Sequence, residues 1–133
     1  MGIRKAKCSC GAVIVAIEGE PRFVNACSCL ACQRASGSAF SYSAFFDKAA
    51  VEVSGRYSSW TTKGDSGHQI EVAFCPVCGV GLFSDLEVVK GMLSIPVGLL
   101  RDESFIPPQN FFWAQSKHDW YRLPDGMPVH DTQ

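Results

Sequence analysis

A chain of 133 residues, 47% hydrophobic and 19% charged, is long enough to bury a core of its own and has an ordinary globular balance. Its net charge of -1 argues against a nucleic-acid footprint or attraction to an acidic membrane surface, and no apolar run approaches the roughly 20 residues of a membrane span. The basic stretch from Met1 to Lys7 is followed by no apolar segment of signal-peptide length, and Ala6 breaks the myristoylation pattern, so one soluble cytoplasmic domain over residues 1–133 is expected, with neither nucleic acid nor membrane as partner.

The predicted elements are short. Ala12–Glu18 is β-branched and ends at Gly19, so it reads as a strand; Arg22–Ala26 is a second. Leu30–Ala35 suits one helical turn, broken by Ser36-Gly37-Ser38. Ala39–Phe46 alternates aromatic with small residues, the period of a half-buried strand. Asp47–Ala50 is a turn or short helix, and two more strands, Val51–Gly55 and Arg56–Thr62, follow around a Gly turn. After the loop 63–67, His68–Phe74 alternates again. Apolar stretches at 80–83 and 86–90 lead to a strand at Met92–Gly98, a last segment from Asn110 to Ser116, and a turn-rich tail. Many short strands with little helix and no repeat predict a mainly β domain.

All seven cysteines fall in three clusters: Cys8-x-Cys10-Gly11, Cys27-x-Cys29-x-x-Cys32 and Cys75-x-x-Cys78-Gly79. An odd number excludes a complete set of intrachain disulfides, and close-spaced cysteines in a reducing compartment point to metal, here zinc. Cys75-Pro76-Val77-Cys78-Gly79 has the form of a zinc knuckle: Pro76 fixes a backbone angle, and Gly79 tolerates the positive φ that turns N–H groups towards sulfur. Cys8 and Cys10 share a face of an extended segment, and Gly11 lets the chain curl.

Spacing leaves two partitions open. One pairs Cys8 and Cys10 with Cys75 and Cys78, leaving Cys27, Cys29 and Cys32. The other joins Cys8, Cys10, Cys27 and Cys29, leaving Cys32, Cys75 and Cys78. In either, four thiolates close a structural site and three leave a coordination position open for substrate. Arg34 is a candidate for offsetting the charge of the open site or binding a substrate carboxylate. His68 and His118 are candidates for completing it.

These clusters, with Gln33-Arg34, Ser36-Gly37-Ser38-Ala39-Phe40, Phe74, Leu82-Phe83 and the ending Trp120 to Pro124-Asp125-Gly126-Met127-Pro128, resemble the glutathione-dependent formaldehyde-activating enzyme family, which includes centromere protein V. The likeness runs over nearly the whole chain. It implies a β-tent fold of packed antiparallel sheets, a structural zinc on Cys8, Cys10, Cys75 and Cys78, and a catalytic zinc on Cys27, Cys29 and Cys32. It also implies a carbon–sulfur lyase of the S-(hydroxymethyl)glutathione synthase type, with glutathione, or another small thiol, as partner. Arg34 and Lys48 are the candidate partners of its carboxylates. Ser28 stands where many members carry His or Asn, and Asn110 where the late aromatic segment often begins with His. A non-catalytic zinc interaction module and a thiol redox or metal sensor are the alternative functions.

Overall fold

The computed structural model describes residues 2–101 and 107–133. Ten strands form two sheets. The smaller has the order β1-β2-β5, from β1 (Ile3–Lys7), β2 (Ile14–Glu18) and β5 (Val51–Ser54). The larger has the order β10-β3-β4-β9-β8-β7-β6. Its strands are β3 (Phe23–Cys27), β4 (Ser41–Asp47), β6 (Ser58–Lys63), β7 (Gln69–Phe74), β8 (Gly81–Leu86), β9 (Met92–Pro96) and β10 (Asn110–Phe112). Among the described residues two α-helical segments, α1 (Leu30–Ser36) and α2 (Val97–Leu100), and two 3-10 turns, Lys48–Ala50 and Ala114–Ser116, interrupt them. The strand pairings are antiparallel except that β10 runs parallel to β3, with Phe112 opposite Cys27. The mainly β class with packed antiparallel sheets therefore holds, with one parallel edge that the sequence did not disclose.

The sheets pack face to face through their β-branched and aromatic residues. Ala6, Val15 and Ile17 of the small sheet meet Val24, Ala44, Phe46, Leu82 and Ile95 of the large one in one buried cluster. Sequestering each such Val, Ile or Phe from water contributes roughly 1.5–3 kcal/mol. Because side chains alternate across a strand, burying Val24 and Ala26 turns Phe23, Asn25 and Cys27 to the opposite, outer face. A second cluster, of Phe40, Phe111 and Tyr121, packs at the β10 edge with ring centroids 4.8 to 6.2 Å apart.

Several elements differ from the sequence reading. β1 carries Arg4, Lys5 and Lys7 and buries only Ala6; as an edge strand it tolerates charges that hide the strand signal. The strand expected over Met92–Gly98 stops at Pro96, after which the chain turns into α2. The stretches 80–83 and 86–90 resolve into β8 followed by a turn. Beyond β10 the chain turns at Trp113, held at φ 60, and Val129 returns to bridge Phe111 in parallel. Phe111 N–H donates to Pro128 O (3.0 Å) and His130 N–H to Phe111 O (2.9 Å), so the tail covers the β10 edge.

Candidate metal centres

Two glycine-closed turns, one a residue longer than the other, build the first centre. Between β1 and β2, Cys8 and Gly11 close a turn through Gly11 N–H to Cys8 O (3.0 Å), with Gly11 at φ 79. Between β7 and β8, Gly79 N–H donates to Cys75 O (2.9 Å), with Gly79 at φ 77. Each turn aims a backbone N–H at sulfur: Val13 N–H at Cys8 Sγ and Val77 N–H at Cys75 Sγ, both 3.4 Å. Packing of the two sheets brings the turns together, leaving Cys10 Sγ 3.7 Å from Cys75 Sγ and all four sulfurs within 4.8 Å of one another. Of the two partitions left open by spacing, the structure assembles Cys8, Cys10, Cys75 and Cys78. N–H donation from Val80 and Cys10 lowers the Cys78 thiol to about 6. Four converging sulfurs with N–H support fit a tetrahedral thiolate-bound ion.

The second group, Cys27, Cys29 and Cys32, also lies within 4.8 Å. Cys27 ends β3, opposite Ser41 of β4. Cys29 is the N-cap of α1 and accepts from Cys32 N–H at 3.2 Å. The helix stops where Gly37, at φ 65, returns its N–H to Gln33 O (2.9 Å). The sulfurs share protons unequally. Bonds from Cys27 and Cys32 lower Cys29 to about 3, whereas the bond to Cys29 drives Cys27 far above the thiol range. In Cys32 the bond from Cys27 lowers the pKa, but the Cys29 thiolate and burial outweigh it and push it up to about 11; the Ser41 hydroxyl pulls the other way.

This loop is clamped from behind. Ser28, fully buried, donates its hydroxyl to Trp113 O (2.7 Å) and its N–H to Phe112 O (3.0 Å). Gln33 Nε2 donates to Ser28 O (2.8 Å) and Ser116 O (3.0 Å). Both amide hydrogens being used, Gln33 Oε1 is the acceptor for His118 Nε2 at 2.9 Å, which fixes the proton on that nitrogen. Across the other flank, the Asp65 carboxylate accepts from Leu30 N–H (2.7 Å). None of Ser28, Gln33, Ser41 and Asp65 stood out as a site residue. Their signal was strand parity and cap geometry, legible only once the partners were placed.

The two candidate cations have different surroundings. Residues two apart on a helix face nearly opposite ways, so Arg34 turns from Cys32. It lines an open depression of about 530 Å³ with Leu30, Gln33, Gly37, His118 and Trp120. Lys48 lies beyond the far end of β4 from Ser41, roughly 20 Å along the strand, and pairs with Asp85 at 2.7 Å. Lys48 is thus remote from the three thiols, whereas Arg34 lines the depression along the helix that carries Cys32. Neither histidine joins the group: among the described residues it contains cysteines alone, and His68 faces Glu87 at 3.4 Å.

The architecture and these two thiol groups define a mainly β protein with one four-cysteine and one three-cysteine group, each of which could hold a metal ion. The chain belongs to the glutathione-dependent formaldehyde-activating enzyme family, whose pattern it matches over residues 3–116. Among solved structures it is similar to the crystal structure of a Rhodobacter sphaeroides protein, with a TM-score of 0.59 at 19% identity, covering 77% of this chain and 91% of that one. At that identity the likeness shows the fold. Curated protein sequences give no match. Among the described residues no helix is long and apolar enough to cross a membrane.

Proposed function

We propose that the chain is a zinc-dependent carbon–sulfur lyase acting on the adduct of formaldehyde with a small thiol, glutathione first, in a reducing cytoplasm. The observation that carries this is the inequality of the two centres. Four sulfurs converge where two sheets join; three converge at the end of β3, with no fourth protein ligand beside them among the described residues. The first suits structure and the second suits chemistry. A zinc ion held by Cys27, Cys29 and Cys32 would supply a Lewis acid that takes a thiol as thiolate, below its usual pKa of about 8.5.

The residues of the chain hold and shape that centre. Ser28 and Gln33 fix the loop, and Cys32 N–H stabilises charge on Cys29. In the forward direction the sulfur forms a bond to the formaldehyde carbon, and the thiol proton ends on the former carbonyl oxygen. No electrons are lost or gained, so no redox partner is required. The sensor alternative has the low pKa of Cys29 in its favour, but Cys29 is only 5% exposed and is the most covered of the three.

The test is a titration of zinc-loaded protein with glutathione and with its S-methyl analogue. Tight binding of glutathione alone is expected. Equal affinity for both, or none for either, would remove the thiol from the metal and overturn the assignment.

A further inference from the structure

Beside Cys27 the outer face of the large sheet is uncharged, a polar strip between Phe112 and the stacked Phe23 and Phe45. Asn25 shares that face with Cys27, Ser43 stands opposite Asn25 on β4, and Asn110 stands opposite it on β10. These positions are half-buried, in contrast to Val24, Ala26 and Ala44, which are at most 1% exposed on the core face. Asn110 Oδ1 accepts from His130 Nε2 at 3.0 Å, and Asn110 Nδ2 donates to Asn25 Oδ1 at 3.4 Å. The His130 ring is itself fixed, stacked on Phe112 at 4.7 Å and 16°. Each bond in this chain has a set direction, and it ends with the acceptor side of the Asn25 amide occupied. Among the described residues Asn25 Nδ2 has no hydrogen-bond partner, and it is not fully enclosed, so the half-buried amide keeps a free donor.

We infer that Asn25 is a specificity-determining residue: oriented by Asn110 and His130, its amide nitrogen donates to a carbonyl or carboxylate oxygen of a substrate whose sulfur sits at Cys27, Cys29 and Cys32. The inference rests on the thiol reading above and narrows it to thiols that carry an acyl oxygen a few bonds from sulfur, as a cysteinyl unit does. The spacing permits this. Asn25 and Cys27 are two residues apart on one strand face, roughly 7 Å, a span that a metal–sulfur bond, a short carbon chain and one hydrogen bond can bridge. It also supplies a neutral recognition element on the strand that carries Cys27.

The test compares two thiols on zinc-loaded protein by calorimetry: glutathione, and 2-mercaptoethanol, which has no acyl oxygen. For Asn25→Leu, glutathione should bind about three- to tenfold more weakly and 2-mercaptoethanol unchanged, with the zinc content of wild type. Asn25→Asp, of the same shape but with an acceptor in place of the donor, should lose more than Asn25→Leu for glutathione. Asn110→Leu, which frees the Asn25 amide to turn, should lose less. Equal weakening of both thiols, or unchanged glutathione affinity in both Asn25 variants, would overturn the role of Asn25 alone. Wild-type protein that binds neither thiol would overturn it together with the thiol reading.

Discussion

Gln33→Leu separates the support of the three-cysteine loop from the fold at large. The substitution keeps the volume and removes three hydrogen bonds: two donated to Ser28 O and Ser116 O, and one accepted from His118 Nε2. The bond to the exposed His118 is replaced by water at little cost. The two carbonyls are part-buried and lose a neutral donor each, about 1 kcal/mol apiece, or about 2 kcal/mol together. For 133 residues the unfolding entropy is about 0.28 kcal/mol/K, so Tm should fall by about 7 °C. The same 2 kcal/mol, felt at the loop, would speed metal loss from Cys27, Cys29 and Cys32 by up to about 30-fold. A chromogenic chelator added in excess should resolve two phases in wild type. Only the faster, three-cysteine phase should accelerate in the variant, since Cys8, Cys10, Cys75 and Cys78 share no bond with Gln33. Equal acceleration of both phases, or a lower Tm with unchanged metal release, would refute this account of Gln33.

Three other outcomes are expected. Cys78→Ser should give poorly soluble protein, because its centre ties the two sheets together, whereas Cys29→Ser should keep the fold and lose activity; soluble yield and Tm compare them, and equal destabilisation would count against the division. Metal affinity of the three-cysteine group should rise with pH between about 6 and 8, since Cys27 and Cys32, both held above the ordinary thiol pKa, must release protons on loading, while Cys29 is lowered to about 3; a flat or falling profile in competitive chelation across that range would refute this. Gly55→Ala should lower Tm and loosen the four-cysteine centre, because Gly55 has φ 98 and a Cβ there would run into the Ala12 carbonyl, next to the turn that carries Cys10 and Gly11; an unchanged melting curve would sink this prediction.

What the sequence determined was local. A cysteine turn closed by a glycine at positive φ is decided within five residues, and the Cys75–Gly79 knuckle forms as its composition requires. Alternation in 39–46 and 68–74 marked β4 and β7 to within two residues at either end. The tertiary structure decided what depends on distant partners. Which cysteines share a centre follows from the packing of two sheets, because Cys10 and Cys75 are 65 residues apart and their turns have no preference for each other. The parallel β10 edge and the clamp on Ser28 and Gln33 come from a segment more than 80 residues downstream. Lys48 shows the converse: it stands 16 residues after Cys32, yet a seven-residue strand carries it to the far end of the sheet. A strand spends every residue on distance, and a helix turns Arg34 aside in two residues. Nearness along the chain therefore marked the cysteine turns and put Asn25 on the face of Cys27, whereas packing in space decided which turns share a group and carried Lys48 away.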